Sequence, residues 1–201
     1  AIIKIEIINN IWSKPEVASF SGIYDDTSPC IHPDGTQLIF ESNRPVGDTL
    51  NTAKENFWLM HRVGDGWSEP EPLGKPINGE KNVYGPSLAR NGNLYFTKKT
   101  DDGGDAIFRS KSIDGQYQMP EKLPENVNSV KHQFDASIAP DESYLIVPVY
   151  GREDSNGSTD YYITFRDEHD NWSPIKNMGD LFNTKKVESG PYITADGKYI
   201  F

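Results

Sequence analysis

The chain spells one short motif four times. The copies are Ser28-Pro29-Cys30-Ile31-His32-Pro33-Asp34-Gly35, Gly85-Pro86-Ser87-Leu88-Ala89-Arg90-Asn91-Gly92, Asp135-Ala136-Ser137-Ile138-Ala139-Pro140-Asp141-Glu142 and Gly190-Pro191-Tyr192-Ile193-Thr194-Ala195-Asp196-Gly197. The aspartate or asparagine falls at 34, 91, 141 and 196, in steps of 57, 50 and 55 residues. A second marker keeps nearly the same period: Trp12-Ser13-Lys14-Pro15, Trp67-Ser68-Glu69-Pro70, Tyr117-Gln118-Met119-Pro120 and Trp172-Ser173-Pro174, in steps of 55, 50 and 55. Two markers in fixed order at a shared period describe one supersecondary unit stacked on copies of itself.

Each period reads as four short strands. The first runs from Pro29 to His32 and ends in the Pro33-Asp34-Gly35 turn, where Asp and Gly supply the backbone angles of a tight hairpin. The second is Gln37-Leu38-Ile39-Phe40, matched by Leu94-Tyr95-Phe96, Leu145-Ile146-Val147 and Tyr199-Ile200-Phe201. The third is Phe57-Trp58-Leu59-Met60, matched by Ala106-Ile107-Phe108, Tyr161-Tyr162-Ile163 and Ile2-Ile3-Lys4-Ile5. The fourth is expected to carry the Trp-Ser-x-Pro marker as an outer edge strand, where a missing N–H is tolerated. No stretch holds a 3.6-residue apolar period over three turns, so helix should be scarce. Four-stranded units of β-branched and aromatic runs predict an all-β chain, a β-propeller of about four blades, in preference to a sandwich. The blades span about 28–79, 85–129 and 135–183, with a split blade from 1–20 plus 190–201, in a single region 1–201. Trp12, Trp67, Tyr117 and Trp172 are expected to pack between neighbouring blades, and Trp58 to fill a third-strand core position.

Ser28-Pro29, Pro33-Asp34-Gly35 and Phe40-Glu41-Ser42-Asn43-Arg44 resemble the TolB-like β-propeller repeat, with its Pro-Asp-Gly turn and its apolar strand ending near Ser-x-Arg. Asp105-Ala106-Ile107-Phe108 and Asp160-Tyr161-Tyr162-Ile163 are similar to that family's third strand, which opens with Asp. The match weakens at Asn91-Gly92, Pro140-Asp141-Glu142, Ala195-Asp196-Gly197 and Lys98-Lys99-Thr100. The resemblance implies a bacterial periplasmic or secreted setting. It says little about activity, because propellers host many unrelated functions. The terminal pieces sum to one blade, so a closed four-bladed ring sealed by the two ends is one arrangement. The other is part of a six- or seven-bladed ring, six blades needing roughly 320 residues at this period. Phe201 falls inside a strand and Ala1 is not Met, which favours the second arrangement and a trimmed chain.

Composition narrows the chemistry. The 20 Lys and Arg against 30 Asp and Glu give a net charge of −10, which argues against nucleic acid and anionic membranes as partners. No apolar run is long enough for a transmembrane helix. The one cysteine, Cys30, excludes an internal disulfide framework and reads as structural. His32, His61, His132 and His169 form no zinc-type pair, and there is no Gly-x-Ser-x-Gly elbow. No cofactor is expected, although the oxygens of Asp101-Asp102-Gly103-Gly104-Asp105 and Asp154 to Asp160 suit Ca2+ as well as an ordinary solvated turn.

The most informative residues are those leading into each innermost strand, because in a propeller these loops gather around the central channel. Asp25 and Asp26, Asn82, His132 and Gln133, and Glu188 precede the first strands, with Tyr84 and Phe134 one step further in and Tyr24 in the first loop. Polar groups interleaved with aromatic rings fit a protein or glycan ligand. The expected function is a non-catalytic extracytoplasmic binding or scaffold module. The alternatives are the propeller of a polysaccharide lyase or glycosidase, or the gating propeller of a serine peptidase.

Overall fold

A computed structural model describes residues 1–47, 54–79 and 81–201. The described chain is all-β, and no helix in it is long and apolar enough to cross a membrane. Three antiparallel sheets follow one another, each with its strands in chain order. They comprise Asp26–Ile31, Gln37–Ser42, Asn56–Val63 and Glu71–Pro72; Val83–Leu88, Leu94–Lys99, Asp105–Ser110 and Glu121–Lys122; and Ser137–Ile138, Tyr144–Tyr150, Thr159–Phe165 and Lys176–Asn177. The N-terminal segment repeats the outer half of this unit, with Ile3–Lys4 paired to Glu16–Val17. The C-terminal segment repeats the inner half as a hairpin, Tyr192 exchanging two backbone hydrogen bonds with Phe201. Among the described residues no ladder joins the two segments.

The repeated residues have local physical jobs. The Asp or Asn of the turn accepts the N–H two residues on in all four copies: Asp34 from Thr36, Asn91 from Asn93, Asp141 from Ser143 and Asp196 from Lys198. This side-chain closure is what makes the hairpin tight. The next residue has positive φ, which Gly35, Gly92 and Gly197 adopt without strain. Glu142 adopts it as well, and its carboxylate is held by Asn91, Asn93 and Tyr95 of the preceding sheet and by Arg166.

The second marker lies elsewhere than expected. Trp12, Trp67, Tyr117 and Trp172 sit on the return of a small hairpin extending the third strand, pairing with Ile7, Arg62, Ser112 and Arg166. The fourth strand begins only after the marker, so the prolines precede an edge strand and do not interrupt one. Ser13, Ser68 and Ser173 each use Oγ to accept the N–H of Glu6, His61 and Phe165, closing that hairpin.

A third periodic residue escaped the sequence reading. Asn78, Asn128 and Asn183 each accept the N–H and donate to the C=O of one third-strand residue, Phe57, Ile107 and Tyr161 respectively. A single carboxamide thereby replaces a strand partner and pins the chain leaving each fourth strand.

Three apolar clusters lie between successive units. Ile2, Ala18, Phe40 and Trp58 join the N-terminal segment to the first sheet, and Ile39, Phe57, Leu88 and Phe96 join the first to the second. Tyr95, Val127, Leu145 and Trp172 join the second to the third. Trp58 is a core residue as expected. Trp172 meets Tyr95 of the neighbouring sheet edge-on at 6.2 Å and is 5% exposed, whereas Trp12 is 69% exposed because no sheet lies against it. At the far end Phe182 is 41% exposed, although Ile77 and Val127 in the same register are 1% and 0% exposed. The stack thus presents an uncovered apolar face at each end.

Candidate functional site

The first strands of the three sheets and the C-terminal hairpin converge on a cavity of about 240 Å³ lined by Ser28, Cys30, Gly85, Ser87, Asp135 and Tyr192, among others. Where each innermost strand reaches this cavity its backbone turns left-handed. Ser28, Gly85, Asp135 and Gly190 have φ of 47°, 61°, 49° and 59°. In the first two sheets the ladder register slips at this point, between Thr27 and Cys30 and between Tyr84 and Ser87. The turned N–H of Gly85 donates to Glu41 Oε1 of the preceding sheet at 2.6 Å, and that of Asp135 to Thr97 Oγ1 at 2.9 Å. The first strands of the second and third sheets are thus tied to the preceding sheet beside the cavity.

One carboxylate, Asp105 at the start of the second sheet's third strand, organises the adjoining face. It accepts from the Tyr84 hydroxyl, from Lys99 Nζ at 2.6 Å and lies 2.7 Å from His132 Nδ1, while its backbone oxygen accepts from Gln133 Nε2 at 2.6 Å. Burial would raise the Asp105 pKa, but the bonds from Lys99, Tyr84 and His132 outweigh it and the carboxyl is held below its ordinary range. The Lys99 ammonium lies 5.8 Å from the centre of the Tyr84 ring, and the His132 ring meets Tyr150 edge-on at 6.4 Å. Burial first, then Asp105, pushes the Tyr84 phenol well above its ordinary range.

Beneath this face two further carboxylates meet around Gly85. Burial pushes Glu41 up to about 7, against the bonds from Gly85 and Ser28. Asp135 is raised by burial and secondarily by Asp105. A Cβ placed on Gly85 would lie 2.4 Å from Asp135 Oδ1, which shows how closely the two residues pack.

Of the residues singled out in the sequence, Tyr84, His132 and Gln133 come together on Asp105. Phe134 follows them, half-buried, with its N–H bonded to Pro148 O at 3.1 Å. Asn82 is half-buried beside Val83, whose strand pairs with Lys98. The first loop forms a separate group. Asp25 exchanges hydrogen bonds with Asn43. Asp26 is buried and paired with Arg44 at 2.7 Å. The Arg44 guanidinium stacks within 5.3 Å of the ring centres of Tyr24, Phe40 and Trp58. Glu188 is half-buried, with Oε1 accepting from Thr184 at 2.6 Å.

The acidic loops hold their oxygens internally. Asp160 accepts from the Asn156 and Gly157 N–H groups and from Asn177, and Asp154 from Arg152 and Tyr162. Among the described residues no group of three or more His, Cys, Asp and Glu side chains is placed to hold a metal ion. Cys30 is buried, and desolvation pushes its thiol up to about 11, well away from nucleophilic poise.

No family model matches the chain, and no curated protein matches it. Solved structures do. TolB from Acinetobacter baumannii superposes with a TM-score of 0.57 at 17% identity, over 88% of this chain and 37% of that one. A protein assigned to TolB from Agrobacterium tumefaciens gives 0.50 at 16% identity, over 94% of this chain and 78% of that one. A protein assigned as a 6-phosphogluconolactonase from Bacteroides uniformis gives 0.50 at 14%, over 98% and 55%. The fold is TolB-like, and the chain spans little more than a third of the A. baumannii protein.

Proposed function

We propose that the chain is part of a TolB-like β-propeller that serves as a non-catalytic binding module outside the cytoplasm, holding a protein or glycan on the face built by Tyr84, His132 and Phe134. The observation that carries this reading is the organisation around Asp105. Three strands and the loop leading into the next sheet deliver Tyr84, Lys99, Asp105 and His132 to one place, already fixed by hydrogen bonds. A pre-ordered face of rings and polar groups loses little conformational freedom on binding. The uncovered apolar faces at Trp12 and Phe182 support a ring in which further blades flank these sheets. The TolB-like fold supports a periplasmic or secreted setting.

Screening immobilised glycans and a tiled peptide library with the 201-residue chain tests this. A ligand of this face is expected to bind roughly 100-fold more weakly when Tyr84, His132 and Phe134 are all replaced by alanine, since loss of a few central contacts at about 1 kcal/mol or more each dominates such interfaces. Unchanged affinity in the triple variant removes the site.

The lyase or glycosidase reading draws on one observation. Glu41 and Asp105 have environments that push their pKa values in opposite directions, the pattern of an acid–base pair. Growth of unsaturated-sugar absorbance on polyuronate, lost on Asp105→Asn, would favour it over the binding module.

A further inference from the structure

The channel cavity contains one carboxylate and no cation to balance it. Of the side chains that line it, Asp135 alone is an acid or base ionised near neutral pH, since the Cys30 thiol and the Tyr192 phenol are both pushed up by burial. Elsewhere the fold pairs its enclosed carboxylates: Asp26 with Arg44, Asp105 with Lys99, Glu142 with Arg166. Asp135 is half-buried, with Oδ1 against Gly85, which lines the same cavity. Among the described residues no hydrogen bond or ion pair reaches its carboxylate. Only its backbone N–H is bonded, to Thr97 Oγ1 at 2.9 Å. Two residues further in stands Ser137, which is 6% exposed and whose hydroxyl, among the described residues, has no hydrogen-bond partner.

The backbone here is short of donors. Pro86 and Pro191 have no N–H, and the N–H groups of Gly85, Asp135 and Ile138 are taken by Glu41, Thr97 and Ser87. The lining therefore offers a guest mainly acceptors. Beyond Ser137 the walls are apolar, at Leu88, Ile138 and Ile193. An apolar hollow with a few convergent polar groups is the ordinary form of a small-ligand site. At about 240 Å³ it exceeds the roughly 150 Å³ of an apolar cavity that takes up benzene.

We propose that this cavity is a site for an alkylammonium group, its head paired with Asp135 and hydrogen-bonded to Ser137 Oγ, its carbon chain lying among Leu88, Ile138 and Ile193. A single carboxylate with acceptors on several sides suits a compact head with three donors better than a planar guanidinium, which wants two parallel oxygens. One carboxylate among apolar walls is also a poor donor set for Ca2+, which takes six to eight oxygens. Gly85 and Asp135 directly follow Tyr84 and Phe134 in the chain, so a protein held on that face is placed to insert a lysine. The inference goes beyond that face and does not rest on it.

Pentylammonium chloride titrated into the 201-residue chain near pH 7, followed by amide chemical shifts, reads the site. Shifts are expected to centre on Ser87, Asp135 and Ser137. Pentanol, of equal length and uncharged, should bind about tenfold more weakly or worse, the factor expected of one charge-assisted hydrogen bond. Asp135→Asn should weaken pentylammonium by about tenfold or more and leave pentanol unaffected. It breaks no hydrogen bond of the carboxylate, and asparagine tolerates the positive φ at this position. Ser137→Ala should weaken pentylammonium roughly threefold, which keeps the test usable if the first variant folds poorly. An N-acetylated lysine peptide, a lysine-free peptide with a free N-terminus, and putrescine separate a side chain, a chain end and a free polyamine as the source of the ammonium. Absence of saturable shifts with pentylammonium, shifts centred on Tyr84 and Asp105 instead, or undiminished affinity in both variants overturns the site. So does Ca2+ moving the same amides where pentylammonium does not. Failure of the Tyr84–His132–Phe134 face to capture any glycan or peptide would sink that reading and leave a positive result here standing.

Discussion

Gly85→Ala is expected to destabilise the chain by about 3 kcal/mol or more, through a non-glycine residue in the left-handed region together with a clash that a flexible side chain cannot relieve. The added Cβ would stand 2.4 Å from Asp135 Oδ1 and 2.7 Å from Asp135 Cα. Rotating the carboxylate removes the first contact and leaves the second, so the chain leading into the third sheet must move. Gly190 is the internal control. It holds the same place in its own repeat, at φ 59° against 61° for Gly85, and has nothing within 4 Å of its Cβ position. Gly190→Ala should therefore carry only the conformational part, about 1 kcal/mol. Urea unfolding of the two variants separates backbone strain from contact. Equal losses would mean that the close approach of Gly85 to Asp135 does not exist in solution. Because Asp135 backs the face, Gly85→Ala should also weaken any ligand captured there, whereas Gly190→Ala should not.

The repeat and its strands were legible because their signals are local. The Asp or Asn of the turn closes it through its own side chain, and Asp34, Asn91, Asp141 and Asp196 all do so in the fold, with Glu142 taking the glycine's place after Asp141. Tyr84, His132 and Gln133 were legible as neighbours because similar offsets from that turn, seven to nine residues before its Asp or Asn, place them at the same end of successive strands. Asp105, the carboxylate that gathers them, was not. It opens a third strand, and it joins the site only through the register that sets Lys99 opposite Asp105 and Tyr84 opposite Thr97. Glu41 and Asp135 escaped for a related reason, since their meeting at Gly85 depends on how three successive sheets pack. Asp26 shows the converse. Its place in the loop suggests a ligand group, but Arg44, eighteen residues on, takes its charge. The Trp-Ser-x-Pro marker is visible by its period, but its place on the return of a hairpin before the fourth strand is not. Its serine serves a hairpin closure that looks like an edge strand when only the prolines are read.

The asparagine ties make the other large effect. Asn183 is almost wholly buried, and its carboxamide both accepts from Tyr161 N–H at 2.8 Å and donates to Tyr161 O at 3.0 Å. Asn183→Asp preserves shape and acceptor, removes the donor, and sets a carboxylate facing the Tyr161 carbonyl and Asn177 Oδ1 at neutral pH. Losing the donor bonds and burying an unpaired charge should cost about 3 kcal/mol. Asn78 is half-buried and makes the same pair of bonds to Phe57, so water can replace part of what Asn78→Asp removes, and its loss should be roughly half as large. The Asn183→Asp deficit should shrink as pH falls below about 5, because the protonated acid regains a donor for the Tyr161 carbonyl. Urea midpoints for both variants at pH 5 and pH 8 check the ranking and the pH trend. Hydrogen exchange at the Tyr161 amide shows whether the loss arises at the tie itself. If Asn183→Asp were neutral at pH 8, the carboxamide would be ornamental and the chain after the third sheet's outer strand would be held by its other hydrogen bonds, such as Glu188 N–H to Thr159 O and that of Ser158 to Lys186 O. That segment keeps Leu181 and Phe182 exposed, so apolar burial does little to fix its course and its polar ties, Asn183 first among them, carry more of it.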